Sequence, residues 1–201
     1  MKYIKTAIMI AGLAAATAAC TRKPVVPQFG ILSIDTLIGT PANGCNIEYR
    51  FATIANAAKS PALRSIEAAN VGYFFELEEF DGTAHQAADS ALRQIATEIL
   101  LPDSVPQTMG TYEISAEAEA EVVDSLVTYI ISRWSFTGGA HGMYGTECHT
   151  YSLAGGYELS TADLFSERQL LGMEALLRKK LYEQYELSLI HISEPTRLDV
   201  I

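Results

Sequence analysis

Trp134-Ser135-Phe136-Thr137-Gly138-Gly139-Ala140-His141-Gly142-Met143-Tyr144-Gly145 is the stretch around which the rest of the chain is arranged. On its N-terminal side, Leu126–Phe136 is rich in β-branched and aromatic residues, which predicts a strand. On its C-terminal side, Tyr144–Leu153 predicts a second strand, with Tyr144, Thr146, Cys148, Thr150 and Ser152 on one face and Glu147 and His149 on the other. The connection carries Gly138, Gly139, Ala140, His141 and Gly142, and its glycines permit positive φ and close backbone approach. The expected element is a hairpin whose tip passes where a side chain would clash, with Gly139 as the position least tolerant of bulk.

Working outward, Ile31–Ile38 and Cys45–Ile54 are strand-like and flank a Gly39–Gly44 turn, so a hairpin is expected there too. Ser60-Pro61 is a helix start, and Leu63, Ile66, Tyr73, Leu77 and Phe80 recur at helical spacing over about five turns. Asp81-Gly82-Thr83 stops that helix. Thr83 then caps a second one reaching Leu100, with Ala88, Leu92, Ile95 and Ile99 as its buried stripe and Pro102 and Pro106 beyond its end. Thr111–Val123 is rich in Ala and Glu, which favour helix, but its apolar positions alternate strictly with Ser115, Glu117, Glu119 and Glu121. Period two is the strand pattern, and it decides the reading. The acidic row is then a solvated face, with docking of a basic protein as its rarer use. Ser166 with Gln169 forms a capping box for a last helix lined by Leu170, Met173, Leu177, Leu181 and Tyr185.

The pattern Phe136-Thr137-Gly138-Gly139-Ala140-His141, then Tyr151-Ser152-Leu153, Gly155-Gly156 and Leu159-Ser160-Thr161-Ala162-Asp163-Leu164-Phe165, resembles a bacterial extracytoplasmic domain of unknown function. That domain forms the sensor half of the RsiV anti-sigma factor and lies beside the catalytic domain of PdaC-type peptidoglycan deacetylases. The resemblance spans roughly residues 31–186. It implies a strand at 111–123, a non-catalytic role, and a lysozyme-like envelope protein or peptidoglycan as ligand. It also implies further strands after the last helix, so the fold is expected to be α+β and C-terminally truncated: an antiparallel sheet of hairpins packed by about three amphipathic helices. Residues 31–125 form its N-terminal half and 126–186 its incomplete GGAH-containing half.

The ends of the chain read differently. Met1–Cys20 has a short n-region with Lys2 and Lys5, an apolar run and small residues before Cys20, the layout of a lipoprotein signal peptide. Cys20 is the expected lipidation site; Thr17 stands where Leu is commonest, which leaves ordinary cleavage near Ala19 as the other reading. Residues 21–30 form a proline-bearing tether. The expected location is the cell envelope, lipid-anchored, and Arg22-Lys23 favours a periplasm-facing position. At the other end, Leu187–Arg197 corresponds codon by codon to a translated sequencing adapter, so 187–201 is excluded from fold reasoning and His191 is given no role.

Chemistry in the pattern is sparse. A formal net charge of −10 disfavours nucleic acid and anionic membrane surfaces as electrostatic partners. His141 is the residue most like a base or metal ligand, and Glu147 and His149 are its neighbours in sequence. No further ligand set accompanies them, so backbone hydrogen bonding within the turn is the simpler role. The serines lack a nucleophile elbow and the glycines lack the Lys-Ser/Thr of a phosphate loop. No cofactor or metal is expected. With Cys20 lipidated, Cys45 and Cys148 remain as an even pair able to form a disulfide if the fold brings them together. The expected function is a non-catalytic envelope lipoprotein binding a protein or glycan; an envelope hydrolase or metal-binding domain using His141 is the alternative.

Overall fold

The computed structural model describes residues 23–41, 43–78, 80–99 and 111–185. Cys20 and the rest of the signal-like segment, the proline stop after Leu100 and the 187–201 tail lie outside the described residues. The chain divides into two compact units, one ending at Glu158 and the other starting at Leu159. Asp124-Ser125 is the hairpin turn that leads into the strand carrying Trp134, inside the first unit, with Asp124 at φ 53°.

The first unit is built on strands β1 (Phe29–Thr40), β2 (Asn43–Ile54), β3 (Tyr112–Val123), β4 (Leu126–Phe136) and β5 (Met143–Ser152), which lie in that order in one sheet. β1 and β2 form the expected hairpin, and β3, β4 and β5 form an antiparallel meander. The junction between β2 and β3 is parallel, with Cys45 opposite Tyr112 and Phe51 opposite Ala118. A parallel neighbour requires a crossover rather than a tight turn. Here the crossover holds a 3-10 turn, Ala57–Lys59, helix α1 (Pro61–Phe75) and helix α2 (Ala84–Ile99). The architecture is therefore α+β with a mixed, mostly antiparallel sheet.

Helix α1 starts with Pro61 after extended Ser60 and stops at Phe75, about one turn earlier than the spacing predicts. Glu76 adopts the left-handed conformation at φ 53°, and Leu77 N–H donates to the Gly72 carbonyl at 3.0 Å, closing the C-terminus. Leu77 and Phe80 still pack on the core, but from the segment after the helix. α2 is capped as expected: Gln86 N–H donates to Thr83 Oγ1 while Thr83 N–H donates to Gln86 Oε1 at 2.9 Å.

Both helices cover one face of the sheet. Leu63, Ile66, Val71, Phe74 and Phe75 of α1 and Ala84, Ala87, Ala88 and Ala91 of α2 meet Ile47, Tyr49, Phe51, Tyr129, Ile131 and Tyr151. Aromatic packing is dense there: Phe51 and Phe74 centroids lie 5.0 Å apart, and Tyr49 contacts both Phe74 and Phe75 edge-on at 5.7 Å. Buried Asn70 donates to the Ile66 carbonyl at 2.7 Å and accepts from the Tyr151 hydroxyl at 3.4 Å, joining α1 to β5. The alternation in β3 resolves as read, with Ala116 and Ala118 buried and Glu117, Glu119 and Glu121 exposed.

The expected tether is shorter than 21–30, because Asn56 holds its end to the body. Its Nδ2 donates to the Val26 carbonyl at 2.9 Å and its Oδ1 accepts from Gln28 N–H at 2.8 Å. In the second unit, Ser160 and Asp163 form a capping box at helix α3 (Thr161–Leu164). The Ser160 hydrogen bonds hold the Asp163 carboxyl below its ordinary range. Helix α4 (Glu167–Tyr185) starts as expected, with Ser166 N–H donating to Gln169 Oε1 at 2.9 Å.

Candidate functional site

The glycine turn between β4 and β5 is the first candidate. Its positive φ falls on Gly138, at 80°, not on Gly139. A Cβ on Gly139 would come no closer than 3.9 Å to its neighbours, so the expected intolerance belongs to Gly138 instead. Close approach occurs at Gly142, where a Cβ would stand 2.8 Å from Trp134 Nε1 and 3.0 Å from its Cε2. Gly142 thus lets the turn fold back onto the indole. Ala140 is exposed. His141 is exposed as well, and its Nδ1 lies 3.1 Å from the Gly142 carbonyl, the backbone contact that the simpler reading assigns to it.

His141 does not meet Glu147 and His149. The tip lies beyond the Ser135–Met143 pair, and Glu147 is paired with Ile131 four residues further along β5. At about 3.3 Å per residue, that separates them by roughly 13 Å along the strand. Among the described residues no group of three His, Cys, Asp or Glu side chains is arranged to hold a metal ion.

Glu147 and His149 belong to a different cluster, on the helix-covered face beside the C-terminus of α1. The His149 ring stacks on Tyr73 with centroids 3.9 Å apart and an interplanar angle of 12°. Its Nδ1 lies 2.7 Å from Glu158 Oε1, and the Tyr73 hydroxyl donates to Glu158 Oε2 at 2.9 Å. That hydrogen bond to Glu158 is the main cause raising the Tyr73 phenol pKa above its ordinary value. His149 Nε2 faces Glu147 Oε2 at 3.6 Å, is enclosed, and has no hydrogen-bond partner among the described residues. Arg133 bonds Glu147 and the Tyr73 carbonyl and lies 3.6 Å from Glu76, placing a cation at the C-terminal end of α1. An open cleft of about 790 Å³ runs beside it, floored by Ala69, Gly72, Leu77 and Phe80. This cluster ties the C-terminal end of α1 to the edge strand β5.

The cysteine pair does not form. Cys45 is buried on the helix-covered face of β2, whereas Cys148 is exposed on the opposite face of β5, and both are free. Three strand spacings of about 4.8 Å separate β2 from β5, and Cys45 lies level with Tyr112 whereas Cys148 lies level with Glu119, about seven residues or roughly 23 Å further along. The thiols therefore stand well over roughly 20 Å apart, far beyond what a bridge spans. Burial pushes the Cys45 thiol up to about 11.

The second candidate is the sheet face opposite α1 and α2. Strand register places Glu48, Ser115, Trp134 and Tyr144 in one row across β2 to β5. Arg50, Glu117, Ser132 and Thr146 form the next row, with Arg50 ion-paired to Glu117. Asp35 stands beside Glu48, and Glu113, Glu119 and Glu121 continue the acidic row along β3. Phe29, Ile31, Ile130, Trp134 and Tyr144 are exposed on the same face. Shallow grooves of about 320, 320 and 290 Å³ cross it. The acidic row was legible in the sequence. Its union with an aromatic row was not, because strand order supplies it.

No family model matches this sequence, and no curated protein matches it. Solved structures do. The chain resembles a member of the DUF3298 family from Bacteroides fragilis with a TM-score of 0.66 and 16% identity, over 83% of this chain and 72% of that one. It also resembles a DUF3298 family protein from Pseudomonas aeruginosa with a TM-score of 0.57 and 18% identity, over 84% and 72% of the two chains. At such identities the likeness is one of fold, and the chain has the fold of two members of a family whose function is unknown.

Proposed function

We propose that this chain is a non-catalytic binding domain of the bacterial cell envelope, carried on the membrane by lipid on Cys20 and docking a basic protein on the sheet face opposite α1 and α2. The observation that carries the reading is that face itself. It is five strands wide, lies opposite α1 and α2, and among the described residues combines unpaired carboxylates with exposed aromatic and aliphatic side chains. A surface that is acidic and aromatic suits a cationic partner, which it attracts at long range and then desolvates locally. The GGAH…DLF pattern resembles that of a lysozyme-sensing domain, so lysozyme is the natural first partner to try. A hydrolase reading built on His141 gains no support, since that side chain is exposed and bonded only to its own turn among the described residues.

The test is isothermal titration of the mature chain with lysozyme, with a neutral protein of similar size and with soluble peptidoglycan fragments. Binding of lysozyme that weakens steeply as salt rises, with His141→Ala unchanged, is expected. Peptidoglycan binding without lysozyme binding would replace the partner with a glycan. No binding of any of them at low salt would refute the reading.

A further inference from the structure

Trp134 stands near the turn end of β4 on the face opposite α1 and α2, between two grooves. One groove is lined by Asp35, Asn46, Glu48, Glu113 and Ser115, the other by Glu48, Arg50, Ser115, Glu117 and Ser132, and the indole borders both. The Trp134 side chain remains 37% accessible, and its cross-strand partner Tyr144 is 89% exposed, so the row ends in two aromatic rings presented to solvent. Gly142 lets the turn pass close against the Nε1 edge of the indole, where a Cβ would stand 2.8 Å from Nε1.

Charge around the ring is unequal. Glu117 is neutralised by Arg50, but among the described residues Asp35, Glu48 and Glu113 have no ion pair or hydrogen bond to a side chain. The groove beside Trp134 thus presents a π surface and three unpaired carboxylates in about 320 Å³. A neutral hydrophobic group would leave those carboxylates desolvated and unpaired. A planar cation satisfies both features: a guanidinium stacks on an indole face while its forked N–H groups reach carboxylate oxygens. An ammonium would satisfy the charge but has no flat surface to stack.

We propose that the Trp134 groove is the anchor pocket for an arginine side chain of the basic partner, with Glu48 and Glu113 as its carboxylate acceptors. This inference rests on the docking reading above and names the contact that dominates it. The glycine turn then acts as a positioning element, its Gly142 close against the indole, and His141 stands outside the contact.

Trp134 is the sole tryptophan of the chain, so its intrinsic fluorescence reports the groove directly. The mature chain is titrated with nona-arginine, nona-lysine and an N-acetylated chitooligosaccharide, none of which contains tryptophan, while lysozyme affinity is followed separately by calorimetry. The expected result is a saturable Trp134 emission shift with nona-arginine, weaker with nona-lysine and absent with the sugar. In Glu48→Gln/Glu113→Gln the midpoint should rise at least about tenfold, and Trp134→Ala should lower lysozyme affinity by a similar factor. Asp89→Asn on α2 should match wild type in both assays. Trp134→Phe, which keeps a ring in the sheet, should retain part of the affinity and guards against loss of fold. If lysozyme binds but Trp134 is silent and Trp134→Ala binds equally well, the anchor is overturned and the docking reading stands. If nothing basic binds, both fall. An emission response to the sugar alone would also overturn the anchor.

Discussion

Glu67 sits on α1 beneath the sheet, partly buried, and its carboxylate accepts the Ile54 N–H at 2.7 Å. Burial pushes this carboxyl up to about 7 from 4.5, and the Ile54 hydrogen bond offsets only part of that. The pKa of the folded state therefore lies above that of the unfolded state. Below pH 4.5 both states hold the proton; between 4.5 and about 7 the unfolded chain gives it up while the folded chain keeps it. The folded state binds more protons in that window, so this group's contribution to stability falls as pH rises through it. A difference of about 2.5 pH units at 1.36 kcal/mol each makes the loss about 3 kcal/mol, or roughly 10 °C in melting temperature for a chain of this size. Glu67→Gln removes the titrating group and keeps a carbonyl oxygen for Ile54. Thermal unfolding of both proteins from pH 4 to pH 8 checks the reasoning. The wild type should lose stability relative to Glu67→Gln between pH 5 and pH 7.5, with the variant the more stable at pH 8. Parallel stability profiles would show that Glu67 is solvated and refute the argument.

Gly138→Val places a β-branched residue at φ 80° and should cost on the order of 1–3 kcal/mol, whereas Gly139→Val should cost much less; denaturant midpoints of the two variants check this order. In alkylation under native conditions Cys148 should react readily and Cys45 only after unfolding, and mass should be unchanged by reduction, since the thiols lie on opposite faces of the sheet. Metabolic labelling with a fatty acid analogue should mark the mature protein and be lost in Cys20→Ala; label persisting in the variant would remove the lipid anchor.

Much of the local structure was legible. β4 begins and ends where its β-branched and aromatic run does, and the Ala/Glu alternation identified β3 against its helical composition. Thr83 with Gln86 and Ser166 with Gln169 formed the caps their spacing promised. These features depend on residues within a few positions of one another, which is what a pattern can encode. Helix α1 went wrong by a turn because Leu77 and Phe80 reach the core from the segment beyond it, so apolar spacing outran the hydrogen-bonded helix.

By itself the sequence determined the strands, helices, caps and the acidic strand face, since propensity, periodicity and capping are short-range properties. Tertiary structure decided the parallel β2–β3 junction, because two helices must pass over the sheet before β3 can pair. It decided that Cys45 and Cys148 stay apart, since face parity and strand order set their separation. It decided that Gly142 serves Trp134, a contact between opposite arms of a hairpin that depends on the fold of its turn. The union of Glu48, Glu113 and Trp134 in one groove joins residues up to 86 positions apart, and only pairing across β2, β3 and β4 brings them together.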